Sequence, residues 1–150
     1  VRVPLIISWP GQIAAAQCAE GLIELTDLAP TLLAAAALPI PEAMQGKSLL
    51  PILKSNADSA DHRDYVFSEY YNAWSHRHSY GSMYRTNTHK MIVYHGTDQG
   101  ELYDLENDPD EFTNLWHHAE TTSLKTELLK ATFDASVFTM DPTPLRDGPF

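Results

Sequence analysis

A single cysteine, Cys18, stands among 150 residues, so the chain can form no internal disulfide framework. One thiol is compatible with a reducing or an oxidising compartment, and the compartment stays open. Basic residues are scarce: ten Lys and Arg against twenty Asp and Glu leave a formal net charge of −10. That balance repels polyphosphate backbones and anionic lipid surfaces, which argues against nucleic acid as a partner. No apolar run approaches the roughly 20 residues of a membrane span. The longest, Leu28 to Pro41, is interrupted by Pro30, Thr31 and Pro39. No basic leader or cleavage pattern marks a signal peptide in the chain, and no Asn is followed two residues later by Ser or Thr. What the length permits is one core, or one and part of another, burying roughly 70% of the unfolded surface.

The pattern along the chain changes near its first third. Leu5-Ile6-Ile7, bounded by Pro4 and Pro10-Gly11, reads as a short strand buried on both faces, the kind found inside parallel sheets. No second strand-helix-strand unit follows it, so the strand is an orphan and the chain is expected to be a piece of a larger sheet domain. Thr26 then offers an N-cap, with Asp27 and Pro30 in the first turn, and predicts a helix through Leu32 to Leu38 that Pro39 and Pro41 stop. Pro39 to Ala60 reads as a linker with one short turn around Leu49 to Leu53. Beyond it, Tyr65 to Tyr70, Ser82 to Thr86, His89 to His95 and Glu101 to Leu105 are rich in aromatic and β-branched residues and predict four strands. Gly96 to Gly100 joins the last two as a hairpin, Ser123 to Phe133 supplies a helix to cover one face, and Met140 to Phe150 is expected to be irregular. The fold class is thus α/β, turning to α+β in the C-terminal half.

Most sequence patterns that suggest chemistry fail on their own terms. Gly46-Lys47-Ser48 ends like a phosphate-binding loop, but Pro41 stands where that loop needs a glycine, and a proline-rich stretch precedes it instead of a strand. The alternating acids Asp104, Glu106, Asp108 and Asp110 resemble a calcium loop until the sixth position, which is Pro109, and the twelfth, which is Leu115. A solvated acidic turn is the better reading. Among seven histidines, His117 and His118 diverge as neighbours, and His76 with His78 lacks the further ligands a zinc site requires. No Gly-x-Ser-x-Gly elbow occurs, and Cys18 has ordinary neighbours. No catalytic residue and no metal ligand is assigned.

One segment is too polar for a core strand and too aromatic for an idle loop: Tyr70-Tyr71-Asn72-Ala73-Trp74-Ser75-His76-Arg77-His78-Ser79-Tyr80-Gly81. Aromatic faces beside an Arg fork suit a ring-bearing anion such as a sulfated sugar or an aryl ester. Trp74, His76, Arg77, His78 and Tyr80 are therefore the candidate substrate-binding residues. The alternative is that the aromatics pack between sheet and helix while the histidines stay solvated.

Five blocks carry a resemblance. They are Val1-Arg2-Val3-Pro4-Leu5-Ile6-Ile7-Ser8-Trp9-Pro10-Gly11; Leu25-Thr26-Asp27-Leu28-Ala29-Pro30-Thr31-Leu32-Leu33; Gly46-Lys47-Ser48-Leu49; Arg85-Thr86 with His89-Lys90; and Glu101-Leu102-Tyr103-Asp104-Leu105 with Asp108-Pro109 and Asn114-Leu115. In this order, over residues 1 to 115, the chain resembles the C-terminal segment of type I sulfatases of the alkaline-phosphatase-like superfamily. The resemblance implies the last strand and helix of a large α/β domain at 1–40, a linker at 41–62, and at 63–150 a small subdomain with a four-stranded antiparallel sheet, a C-terminal helix and a tail. In that family a Cys or Ser matured to formylglycine acts as a hydrated nucleophile beside calcium, and basic residues stabilise the sulfate oxygens. Neither the Cys-or-Ser-x-Pro-x-Arg motif nor the acidic calcium ligands occur here, so no catalytic position carries over.

Three readings follow from the resemblance and the residues together. The first is a C-terminal portion of a sulfatase-like hydrolase, inactive alone, whose parent takes a sulfated small molecule or glycan and is periplasmic or secreted, with no signal here to test it. The second is a portion of a phosphonate or phosphate monoesterase, which shares the architecture. The third is a self-sufficient binding module, against which the orphan strand argues. Exposed apolar surface is expected at Leu5 to Trp9 and Leu28 to Leu38, and with it self-association.

Overall fold

The computed structural model describes residues 3–55, 62–71 and 80–140. It forms two compact units, Val1–Arg63 and Asp64–Phe150.

The first unit is organised around one buried carboxylate. A 3₁₀ turn, Leu25–Asp27, leads into α1, Leu28–Ala35. Thr26 is not the cap: Asp27 holds that position and Glu24 heads the preceding turn, whose backbone N–H donates to Asp27 Oδ2 at 2.9 Å. Thr31 Oγ1 donates back to the Asp27 carbonyl at 2.6 Å and accepts from the Leu49 N–H at 2.8 Å, tying residues 46–49 to the start of α1. Gly46 is required there by close approach, since a Cβ would lie 2.0 Å from the Thr26 carbonyl oxygen. α1 ends before its prolines. Ala37 takes a left-handed φ of 56°, its N–H donates to the Ala34 carbonyl and that of Leu38 donates to the Leu33 carbonyl. This paired closure normally favours glycine. Pro39 and Pro41 follow a helix that has already stopped. The expected turn at Leu49 to Leu53 is α2, Leu50–Ser55.

Leu5-Ile6-Ile7 does not form the expected buried strand. It pairs with no other segment among the described residues, and Ile6 is 90% exposed. A ladder needs a second edge to accept its N–H groups, and the described residues of this unit contain no strand to supply one. Leu32 and Leu38 are likewise exposed, as the sequence led one to expect.

The second unit is an antiparallel meander, β1 Val66–Tyr71, β2 Tyr80–Arg85, β3 His89–Tyr94 and β4 Gly100–Asp104, in the order β1-β2-β3-β4. Phe67, Tyr84, Met91 and Leu102 are aligned across it, and α3, Thr122–Met140, lays Leu128 and Ala135 on that face. Met91 and Leu102 are fully buried, each contributing about 1.5–3 kcal/mol by leaving water. Strands start or end within two residues of expectation, the largest change being that Tyr80 lies inside β2. α3 runs on past Phe133 to Met140, because no proline or glycine interrupts the sequence between Thr122 and Met140. The expected irregular tail beyond Met140 lies outside the described residues.

A segment without secondary structure closes the core. Asn114 Oδ1 accepts from the Leu102 and Trp116 N–H groups at 3.1 and 3.0 Å, while its Nδ2 donates to the Gly100 carbonyl at 3.1 Å. Leu115 N–H donates to the Leu102 carbonyl at 2.8 Å, so residues 114–116 lie along the edge of β4. Trp116 then lies flat over Gly100 and its Nε1 donates to the Asp98 carbonyl at 3.0 Å.

Candidate functional site

Of the five candidate binding residues, Trp74, His76, Arg77 and His78 lie outside the described residues. Tyr80 is described, and its surroundings show what the strand ends build. Tyr71 and Tyr80 are register partners at the end of β1 and β2, and the His95 N–H donates to the Tyr80 carbonyl at 2.9 Å just past β3. Side chains two residues apart share a sheet face. The tyrosines and His95 therefore form an end row on the face that α3 covers farther along, and Glu69, Ser82 and Val93 form the row behind it.

Tyr71 and His95 are held by side-chain hydrogen bonds. Tyr71 OH donates to Glu69 Oε1 at 2.6 Å, and Ser136 of α3 reaches the same oxygen at 3.4 Å. The carboxylate as hydrogen-bond acceptor raises the Tyr71 phenol above its usual range, so it stays a donor at ordinary pH. Ser82, buried, shares a 2.8 Å hydrogen bond with His95 Nε2, which fixes the imidazole while its ring remains exposed. The Tyr71 and Tyr80 rings stand 6.0 Å apart at 54°, exposed by 57% and 38%. Such an arrangement can bind but has no reason to cleave: Ser82 is too buried for a nucleophile. Glu69, Ser82 and His95 were not singled out from sequence, although Glu69-x-Tyr71 and Tyr80-x-Ser82 have the strand period of two that would place them together.

On the opposite face, Tyr94 and Tyr103 both donate to Glu101, at 2.6 Å to Oε1 and 3.0 Å to Oε2. Both phenols are pushed up to about 12, Tyr94 chiefly by the hydrogen bond to Glu101 and Tyr103 chiefly by burial. Lys90 lies 5.1 Å from the Tyr103 ring centre and pairs with Glu111, whose φ of 60° is left-handed. This is a scaffold that joins the His89-Lys90 and Glu101–Asp104 segments.

In the first unit the hub is Asp27. Fully buried, it accepts from the Glu24 and Lys47 N–H groups, and Arg63 bridges it to Glu24, with Nη1 to Glu24 Oε2 at 2.6 Å. Its oxygens are taken up by protein donors, which makes it structural. Sequence reading treated it only as a first-turn acid. The acidic run is also accounted for: Asp104 accepts from the N–H groups of Glu106 and Asn107, and Asp108 from those of Phe112 and Thr113. Asn107 bonding holds the Asp104 carboxyl below its usual range. Among the described residues no group of three His, Cys, Asp or Glu is placed to hold a metal ion. No described helix is long and apolar enough to cross a membrane.

Comparison with known proteins covers most of the chain. The family model described as N-sulphoglucosamine sulphohydrolase, C-terminal, matches residues 1–136. An N-acetylglucosamine-6-O-sulfatase of Bacteroides thetaiotaomicron is 35% identical over 133 residues, 86% of this chain and 24% of that protein. Arylsulfatase K of Rattus norvegicus is 38% identical over 122 residues, 76% of this chain and 21% of that protein. The chain thus spans about a quarter of the length of these relatives. Among solved structures, a protein in complex with its substrate D-glucosamine-2-N,6-O-disulfate aligns with TM-score 0.66 and 30% identity over 77% of this chain and 24% of that one. A phosphonate monoester hydrolase of Agrobacterium radiobacter aligns with TM-score 0.63 at 22% identity over 78% of this chain and 25% of that one, a likeness of fold. With the family model matching all but the last residues, the chain belongs to the N-sulphoglucosamine sulphohydrolase C-terminal family, the C-terminal domain family of sulfatases.

Proposed function

We propose that this chain is the C-terminal portion of a hydrolase that cleaves sulfate esters of a glycan, and that it shapes the substrate site without supplying the chemistry. The observation that carries the reading is the sequence likeness to sulfatases over most of the chain, 35% to the N-acetylglucosamine-6-O-sulfatase and 38% to arylsulfatase K. In this reading residues 1–40 belong to a large α/β domain, 41–62 connect, and 63–150 form the C-terminal subdomain that carries the candidate binding residues Trp74, His76, Arg77, His78 and Tyr80. The residues present do not fit calcium or formylglycine. The described donor set offers no three-ligand cluster, and Cys18-Ala19-Glu20-Gly21-Leu22 lacks the Pro and Arg of a maturation motif. The chain spans about a quarter of the length of the N-acetylglucosamine-6-O-sulfatase, and this reading assigns both groups to the parent and not to these 150 residues.

A phosphonate or phosphate monoesterase is the second reading, supported by the fold likeness to phosphonate monoester hydrolases. The test is to express the longest open reading frame containing this sequence in a host that matures formylglycine, and to compare substrates. Release of sulfate from N-acetylglucosamine 6-sulfate or an aryl sulfate, well above turnover of a phosphonate monoester, is the expected result. A preference for the phosphonate, or no sulfate release from a protein shown to carry formylglycine, would overturn the reading.

A further inference from the structure

We infer that the corner formed by Tyr71, Tyr80 and His95 is a subsite for an unsulfated sugar ring, so that the substrate is a glycan longer than one residue. The inference rests on the glycan reading above and deepens it. Three ring side chains from three successive strand ends lie in one row on one face, and all three remain exposed. Their rings are not simply loose. Tyr71 is anchored through its hydroxyl to Glu69, Glu69 is also engaged by Ser136, and His95 is anchored through Nε2 to buried Ser82. Fixed aromatic faces are pre-organised, so a ligand need not spend binding energy on ordering them.

The chemistry of the corner selects the ligand. Tyr71 and Tyr80, 6.0 Å apart and inclined at 54°, form an open notch of apolar ring faces. A sugar ring offers matching C–H faces, while its hydroxyls at the ring edge can meet Glu69 and the imidazole of His95. A sulfate at this place is disfavoured by the Glu69 carboxylate and by the net charge of −10. A neutral sugar ring is therefore the occupant. An acidic peptide would meet the same Glu69 carboxylate, and a basic one would find only that single carboxylate, already engaged by Tyr71 and Ser136.

The test uses the 150-residue chain and two disaccharides of N-acetylglucosamine, one unsulfated and one fully sulfated, followed by NMR. The unsulfated one should shift the Tyr71, Tyr80 and His95 side-chain resonances in a saturable way, with millimolar affinity. Tyr80→Ala should weaken it about tenfold, the loss of one aromatic contact. Tyr80→Phe should bind as the parent chain does, because the face and not the hydroxyl is used, and its retained spectrum controls for folding. Three results would overturn the inference: no shifts up to the solubility limit, shifts at other residues untouched by Tyr80→Ala, or tighter binding of the sulfated sugar. None of them depends on hydrolysis, so a whole protein that fails to release sulfate would sink the proposed function and leave this test standing.

Discussion

Replacing Gly100 with alanine would set a methyl carbon 2.6 Å from Cδ2, Cε2 and Cε3 of Trp116. Ordinary contact begins near 3.5 Å, so the indole must retreat by about 1 Å. It is poorly free to do so. Its Nε1 donates to the Asp98 carbonyl at 3.0 Å, the Trp116 backbone N–H donates to Asn114 Oδ1 at 3.0 Å, and Lys125 Nζ sits 5.0 Å from the ring centre. Overpacking of this kind costs about 1–3 kcal/mol, and loss of the indole hydrogen bond about 1 more. The sum, roughly 2–4 kcal/mol, is a large part of the 5–15 kcal/mol that holds a domain together. For a unit of this size it corresponds to a fall in Tm of about 8–30 °C, readable by circular dichroism or calorimetry. Gly96→Ala is the matched control: its φ of 79° is left-handed and nothing lies within 4 Å of the added carbon, so only the backbone cost of about 1 kcal/mol applies. Combining Gly100→Ala with Trp116→Leu should recover part of the loss, because the clash disappears. Equal Tm values for Gly100→Ala and the parent chain would refute the placement of Trp116 on β4.

Other consequences follow from the same geometry. Gly46→Ala meets the backbone carbonyl of Thr26 at 2.0 Å, which has no side-chain freedom to yield, and should unfold the first unit while leaving β1 to β4 intact by hydrogen exchange. Asp27→Ala removes the acceptor of two backbone N–H groups and of Arg63, and at about 3–5 kcal/mol should be among the most destabilising substitutions, measured as urea midpoint. Tyr94 and Tyr103 ionise near 12 when folded against about 10 unfolded, so the native state holds extra protons between those values. The stability they lend is complete below pH 10 and is lost as pH rises through 12. Glu101→Gln should bring the Tyr94 ultraviolet titration back toward 10, and an unchanged titration would contradict the role given to Glu101.

Local chemistry made the second unit legible. The strands were visible because aromatic and β-branched residues such as Phe67, Tyr84 and Val93 gather between turn residues, and Tyr84, Met91 and Leu102 all reached the core. Boundaries moved by a residue or two because the ladder, and not propensity, decides where pairing stops. The first unit was harder. Leu5-Ile6-Ile7 has the composition of a buried strand, but composition does not supply a partner edge, and Ile6 is exposed. Asp27 was read as a helix-start acid because its donors, the N–H of Lys47 and the side chain of Arg63, come from positions 20 and 36 residues away. Long-range partners of that kind leave no local trace. The corner of Tyr71, Tyr80 and His95 was half visible: the aromatic segment drew attention to Tyr80, whereas His95 joins it only through the β2–β3 register.

The central proposal is that this chain, a member of the sulfatase C-terminal domain family, does not itself carry the catalytic machinery. It is tested most directly by the rate at which the purified 150-residue chain hydrolyses an aryl sulfate with calcium present. The account predicts turnover indistinguishable from buffer. Sustained sulfate release by material verified as this chain alone, abolished by a substitution within it, would contradict the account.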